Sequence, residues 1–177
     1  MSKKVTVISA SPRKNGNSDL LCDSFIKGAI ESGHKVTKIR LQEKNINPCL
    51  ACYACRKSKT CIQKDDIESI TQQLIDADVI VLATPVYFYS MNAQLKIMID
   101  RCLPCYNDIR NKEFYFIATA ADSKKEMVRT MEAMEGFTDC LPGAKVKGYI
   151  YGHGVYQKGE VNYTKTINEA YTYGLNI

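Results

Sequence analysis

VTVISASPRKNGNSDLL, Val5 to Leu21, changes character twice. Val5–Ala10 is a short, β-branched, apolar run, which reads as a strand buried on both faces. Ser9–Ser18 then turns polar, with Pro12, Asn15 and Gly16 as turn residues. From Asn17 to Ser32 the apolar residues Leu20, Leu21, Phe25, Ile26, Ala29 and Ile30 fall at helical spacing, and Gly33 sits where a C-terminal cap belongs. A buried strand that passes into a helix through a short polar loop is the first half of a βαβ unit. The rest of the chain repeats it. Strands are expected at His34–Leu41 (alternating, nearer a sheet edge), Asp78–Pro85, Glu113–Ala120 and Lys145–Gly152. Helices are expected at Asp66–Asp76, Asn92–Leu103, Ser123–Phe137 and Glu160–Tyr173. Strand and helix alternate five times, which predicts an α/β domain spanning residues 1–177, a parallel sheet with helices on both faces. No linker, repeat or low-complexity stretch divides it.

The 177 residues suffice to bury a core without disulfides. The net charge of +5 favours a phosphorylated ligand or an acidic partner. No run of five like charges suggests a nucleic-acid partner. No apolar segment approaches a membrane span, and the first strand is too short for a signal-peptide core. These features point to a soluble, cytoplasmic protein. Eight cysteines are many for a reducing compartment, where clustered thiols serve metal or redox chemistry more often than disulfides.

In parallel sheets ligands sit beyond the carboxyl ends of the strands, so the loops there carry the function. In the first loop a helix N-terminus offers free N–H groups to an anion, Ser11, Asn17 and Ser18 add hydrogen bonds, and Arg13 adds a charged one. Gly16 lets the backbone pass close by. The loop lacks the Lys of a phosphate-binding Walker loop and the glycines of a dinucleotide fingerprint. A plain polar turn capped by Asn17 or Ser18 is the competing reading.

The motif S-x-S-P-R-x-x-G-N-S at Ser9–Ser18 resembles the NADPH-dependent FMN reductase branch of the flavodoxin-like superfamily. So does Ala83-Thr84-Pro85-Val86-Tyr87-Phe88-Tyr89-Ser90-Met91, followed by Asn92–Lys96 and Asp100-Arg101. The resemblance implies a flavodoxin-like sandwich with a five-stranded parallel sheet in the order 2-1-3-4-5. It implies FMN as cofactor, with Ser9, Ser11, Arg13, Asn17 and Ser18 at its phosphate. Pro85, Val86, Tyr87, Phe88 and Tyr89 would line the isoalloxazine ring, and Thr119 and Ala120 would lie in a third loop, which here lacks the family's glycines. Electrons would come from NAD(P)H or a reduced ferredoxin-like carrier and pass to a small acceptor such as a quinone, flavin or O2. No side-chain acid or base is assigned, since the cofactor carries the chemistry. Tyrosines crowd the chain after residue 148, which suggests a dimer surface and a homo-oligomer.

Cys49, Cys52, Cys55 and Cys61 form C-x2-C-x2-C-x5-C. Such spacing lets several thiolates converge on one centre. It resembles the motif of the iron–sulfur flavoproteins, which implies a [4Fe–4S] cluster on these four residues and, as an alternative function, an electron carrier without NAD(P)H turnover. Zinc and unligated thiols are the rival occupants. Cys22, Cys102 and Cys140 read as buried small hydrophobes, and Cys105 only completes a C-x2-C with Cys102. His34 and His153 are expected to be solvated, and Asp65-Asp66 to start a helix.

Overall fold

The computed structural model describes residues 1–177. Its strands are β1 (Lys4–Ser9), β2 (Lys35–Arg40), β3 (Val79–Tyr87), β4 (Ser90–Met91), β5 (Glu113–Thr119) and β6 (Lys145–Gly152). Its helices are α1 (Asn17–Glu31), α2 (Cys55–Ser58), α3 (Ile67–Asp76), α4 (Ala93–Asp100), α5 (Val128–Asp139) and α6 (Thr166–Leu175). The sheet runs β2-β1-β3-β5-β6 with every neighbour parallel, and β4 pairs antiparallel with the end of β3. Without the two-residue β4, this is the predicted 2-1-3-4-5 order.

The apolar runs of β1, β3 and β5 follow from burial on both faces. Alternate residues serve opposite sides of the pleat. Ile8, Ile80, Leu82, Phe114 and Phe116 meet α3, α4 and α5 in one core. Val5, Val7, Val79, Val81 and Ile117 meet α1 and α6 in the other. Phe25, Phe114 and Phe116 are fully buried, so truncating any of them to Ala should cost about 3–5 kcal/mol. The edge strand β2 is half exposed, as its alternation predicts.

Helix ends follow local chemistry. Gly33 adopts φ +83°, and the amides of Ser32, Gly33 and His34 cap the last carbonyls of α1. α4 stops at Asp100, three residues before the predicted end. Leu103 precedes Pro104, a position that disfavours helix. α5 and α6 start later than predicted, because Lys124–Met127 and Glu160–Tyr163 form tighter 3-10 turns first. α1 and α6 touch backbone to backbone. A Cβ on Gly28 would lie 2.2 Å from the Tyr171 carbonyl oxygen, and one on Gly174 2.0 Å from that of Phe25.

Three expectations are corrected. Cys140 is exposed, because it follows the last turn of α5 on that helix's outer side; Cys22 and Cys102 are buried as predicted. His34 is half-buried, accepting from the Lys3 amide at 3.1 Å and lying 2.9 Å from the Ile177 carbonyl. The late tyrosines form no single surface: Tyr149 and Tyr151 stack on each other, Tyr173 packs edge-on against Tyr115, and only Tyr156 and Tyr163 are largely exposed.

Candidate functional site

The chain order reverses between β1 and β3, and a cleft opens beyond their carboxyl ends, where open α/β sheets hold their ligands. Ser11, Arg13, Gly16, Asn17 and Ser18 form one end of it. Pro85, Val86 and Tyr87 form one wall, and Thr119, Ala120, Ala121, Val155 and Tyr156 the other. Arg13 is the only charged residue among them.

The polar end presents open donors and one positive charge. Gly16 is the N-cap of α1, and no side chain caps the helix, so the reading of Asn17 or Ser18 as a cap does not hold. The amides of Asn17, Ser18 and Asp19 donate to nothing within the chain. The Ser18 hydroxyl is buried without a partner. Open helix N–H groups and an orphaned hydroxyl beside a lone arginine are the donor set a phosphate monoester requires. The Ser11 hydroxyl donates to the Arg13 carbonyl at 2.9 Å and accepts from the Arg13 amide at 3.2 Å, which folds the loop on itself. A Cβ on Gly16 would lie 2.6 Å from that hydroxyl oxygen, so glycine is needed for the turn.

Asp19 holds the loop from beneath. Its carboxylate accepts from Ser9 Oγ at 2.6 Å and from the Asn15 amide at 2.9 Å, and it pairs with Lys38 at 2.8 Å. Burial pushes this carboxyl up, but the hydrogen bonds from Lys38, Ser9 and Asn15 outweigh it and hold its pKa below the ordinary range. Ser9 is therefore a support residue, and it does not line the cleft. The Asn17 amide side chain is also committed: Nδ2 donates to the Gln157 carbonyl at 2.9 Å, and Oδ1 accepts from the Gly159 amide at 3.0 Å. It pins the wall that carries Tyr156, leaving its own backbone N–H to the cleft. Buried Asn92 caps α4 through Leu95 N and donates to the Ala10 carbonyl, while Thr84 Oγ1 accepts from its amide at 3.0 Å. One side chain thus ties the first loop to the second.

Phe88 and Tyr89 do not line this cleft. They are the two-residue turn between β3 and β4, with φ of +49° and +62°. Both values positive define a type I′ turn, which ordinarily takes Asn-Gly. Two aromatics there store backbone strain, and strain of this kind concentrates at functional positions. Phe88 is fully exposed, and Arg129 lies 5.8 Å from the Tyr89 ring centre. Val155 and Tyr156, absent from the sequence-based site, reach it because the Gly154 amide donates to the Asp122 carbonyl and the Val155 amide to that of Ala120.

The second candidate centre is the cysteine loop. Cys49, Cys52, Cys55 and Cys61 all line one pocket, with Arg101 and Pro104 at its base. Ala51, Tyr53 and Lys59 have φ between +50° and +60°, so the loop coils tightly between its thiols at the expense of backbone strain. All four cysteines are free, and no three His, Cys, Asp or Glu side chains are gathered closely enough to hold a metal ion. Asp65 does not merely open α3. It forms a fork with Arg101 at 2.8 and 3.0 Å and accepts from the amides of Asn47 and Ile67. Burial pushes the Asp65 carboxyl up, but Arg101 and those amides bring it down to about 2.

Sheet order, switch-point cleft and uncapped helix together define a flavodoxin-like nucleotide-binding protein. A model of the NADPH-dependent FMN reductase family matches residues 3–154, and the chain belongs to that family. It is similar to an iron–sulfur flavoprotein of Methanocaldococcus jannaschii, 35% identical over 136 residues, covering 76% of this chain and 70% of the relative. It is also similar to an iron–sulfur flavoprotein of Archaeoglobus fulgidus, 38% identical over 101 residues, covering 57% of this chain and 46% of that protein. The chain thus matches about half the length of the Archaeoglobus relative. Among solved structures, an NAD(P)H:quinone oxidoreductase from Methanothermobacter marburgensis superposes with a TM-score of 0.79 at 15% identity, over 99% of this chain and 97% of the other, a likeness of fold. No helix is long and apolar enough to cross a membrane.

Proposed function

We propose that this chain is an FMN-dependent oxidoreductase, taking electrons from NAD(P)H or from a reduced ferredoxin-like carrier and passing them to a small acceptor such as a quinone, flavin or O2. The single observation behind this is the open N-terminus of α1, where free amides, the orphaned Ser18 hydroxyl and Arg13 converge at the β1/β3 switch point. FMN, when bound, supplies the electron-accepting chemistry. The chain's residues bind and orient it. The Asn17–Asp19 amides, Ser18 and Arg13 hold the phosphoryl group, while Lys38 offsets the negative charge of Asp19 behind the loop. The uncharged walls of Pro85–Tyr87 and Thr119–Ala121 suit a flat aromatic ring and keep water from its faces.

Cys49, Cys52, Cys55 and Cys61 would hold a [4Fe–4S] cluster. Four thiols lining one pocket are the right donor set, and they would have to draw closer together to bind it; Arg56, Lys57 and Lys59 offset thiolate charge. The experiment is anaerobic purification and reconstitution with FMN, iron and sulfide, read by absorbance and iron analysis. Bound flavin with NAD(P)H oxidation is expected. Cys52→Ser should abolish bound iron and leave FMN in place; full iron retention would exclude this ligand set. No affinity for FMN would overturn the assignment.

A further inference from the structure

Arg101 emerges just past α4 with its side chain 1% exposed, a burial that charged residues tolerate only when thoroughly engaged. Its partners all belong to the cysteine loop. Nη1 donates to the Asn47 carbonyl at 2.6 Å and to Asp65 Oδ2 at 2.8 Å, the two ends of the loop. Nη2 donates to Asp65 Oδ1 at 3.0 Å and to Cys61 Sγ at 3.4 Å. Nε is buried and has no partner. The other cations near the thiols, Arg56, Lys57 and Lys59, are exposed, and solvent and salt screen their effect. Arg101 is the buried cation in direct contact with a cysteine of the loop.

We infer that Arg101 is the positioning residue of the thiol centre: it closes the loop between Asn47 and Asp65 and sets the charge felt at the Cys61 sulfur. The redox half of this inference rests on the cluster reading above; the loop-closing half does not. The guanidinium is a pre-organised planar fork that binds a carboxylate in two places and aims a further N–H at sulfur, a geometry that a lysine's point charge does not fix. Asp65 offsets the guanidinium charge, so what reaches the ligand sulfur is the Nη2 N–H donor; such a donor favours the more negative, reduced state of a thiolate-bound centre and so raises its potential. A purely structural ion pair would close the loop without moving that potential.

The test compares wild type, Arg101→Lys and the double variant Arg101→Met/Asp65→Asn. The double variant removes both buried charges together, so neither is left unpaired, and Asn keeps an acceptor for the amides of Asn47 and Ile67. In metal-free protein, hydrogen exchange over residues 45–67 should accelerate in the double variant. Unchanged exchange overturns the closing role. After reconstitution, with iron content matched, the double variant should show a midpoint potential lower by at least the equivalent of a tenfold change in the reduction equilibrium, about 59 mV for one electron. Arg101→Lys should fall between. Equal midpoints at equal iron content overturn the tuning role and leave the cluster reading standing. A wild type that takes up no iron overturns the cluster reading and the redox half with it, while the exchange result still decides the loop-closing half.

Discussion

Ser18→Ala should move two properties in opposite directions. In the flavin-free protein the Ser18 hydroxyl is buried with no hydrogen-bond partner, a state that costs about 1–3 kcal/mol. Removing it relieves that cost, and Ala suits the first turn of α1. A gain of ~1 kcal/mol raises Tm by about 2–4 °C in a domain of this size, so the variant should melt a few degrees higher without flavin. With FMN present the same hydroxyl is expected to bond a charged phosphoryl oxygen, an interaction of about 1.5–3 kcal/mol. Its loss should weaken FMN binding roughly 10- to 150-fold at about 1.4 kcal/mol per decade. Scanning calorimetry of deflavinated protein and titration of flavin fluorescence measure the two effects. A variant that melts lower without flavin, yet binds FMN with unchanged affinity, would refute the view that this hydroxyl is held in reserve for an anion.

Arg13→Ala should weaken FMN binding by about 1–3 kcal/mol, the loss of a charge-assisted bond; flavin titration measures it, and riboflavin affinity, with no phosphate to contact, should not change. Replacing Phe88-Tyr89 by Asn-Gly should relieve about 1–3 kcal/mol of turn strain and raise the stability of the flavin-free protein in urea. Asp65 titrates from near 3.9 in the unfolded chain to about 2 in the fold. Its folded pKa is the lower one, so the stabilisation of about 2–3 kcal/mol is present above pH ~4 and lost as pH falls toward ~2. Urea unfolding across that window should show the decline in wild type and a flatter profile in Asp65→Asn.

The fold was legible wherever burial imposes a period. β1, β3 and β5 are apolar on both faces because both cores claim them. The meeting of Ser11, Arg13, Asn17 and Ser18 at one end of the cleft was legible because loop residues at a helix start are local in sequence. What escaped was long-range. Tyr156 and Val155 reach the cleft through backbone pairing with Ala120 and Asp122, and nothing local in a solvated Gly-His-Gly-Val-Tyr stretch announces that. Arg101 and Asp65 lie 36 residues apart; Asp65 read as a helix start and Arg101 as part of a motif, and nothing local pairs the two. Ser9 was assigned to the ligand by its motif, yet the pleat turns its hydroxyl inward to Asp19. The β4 hairpin was hidden because Phe and Tyr are unusual in a type I′ turn. Cys140 was expected buried only because free cysteines commonly are; at the end of α5 no packed neighbour element claims it.

The glycine contact between α1 and α6 has a consequence for how this protein can diverge. Residues 155–177 lie beyond the stretch matched by the family model, yet Gly28 and Gly174 press that tail's helix directly onto the helix whose front end is the proposed nucleotide grip. A methyl group at either glycine would act as a wedge. It would lever α1 outward and spread the amides at its tip, so a change far from the flavin would surface as lost cofactor. The tail is a splint for the binding loop, and its tolerance for new side chains ends where the two backbones meet.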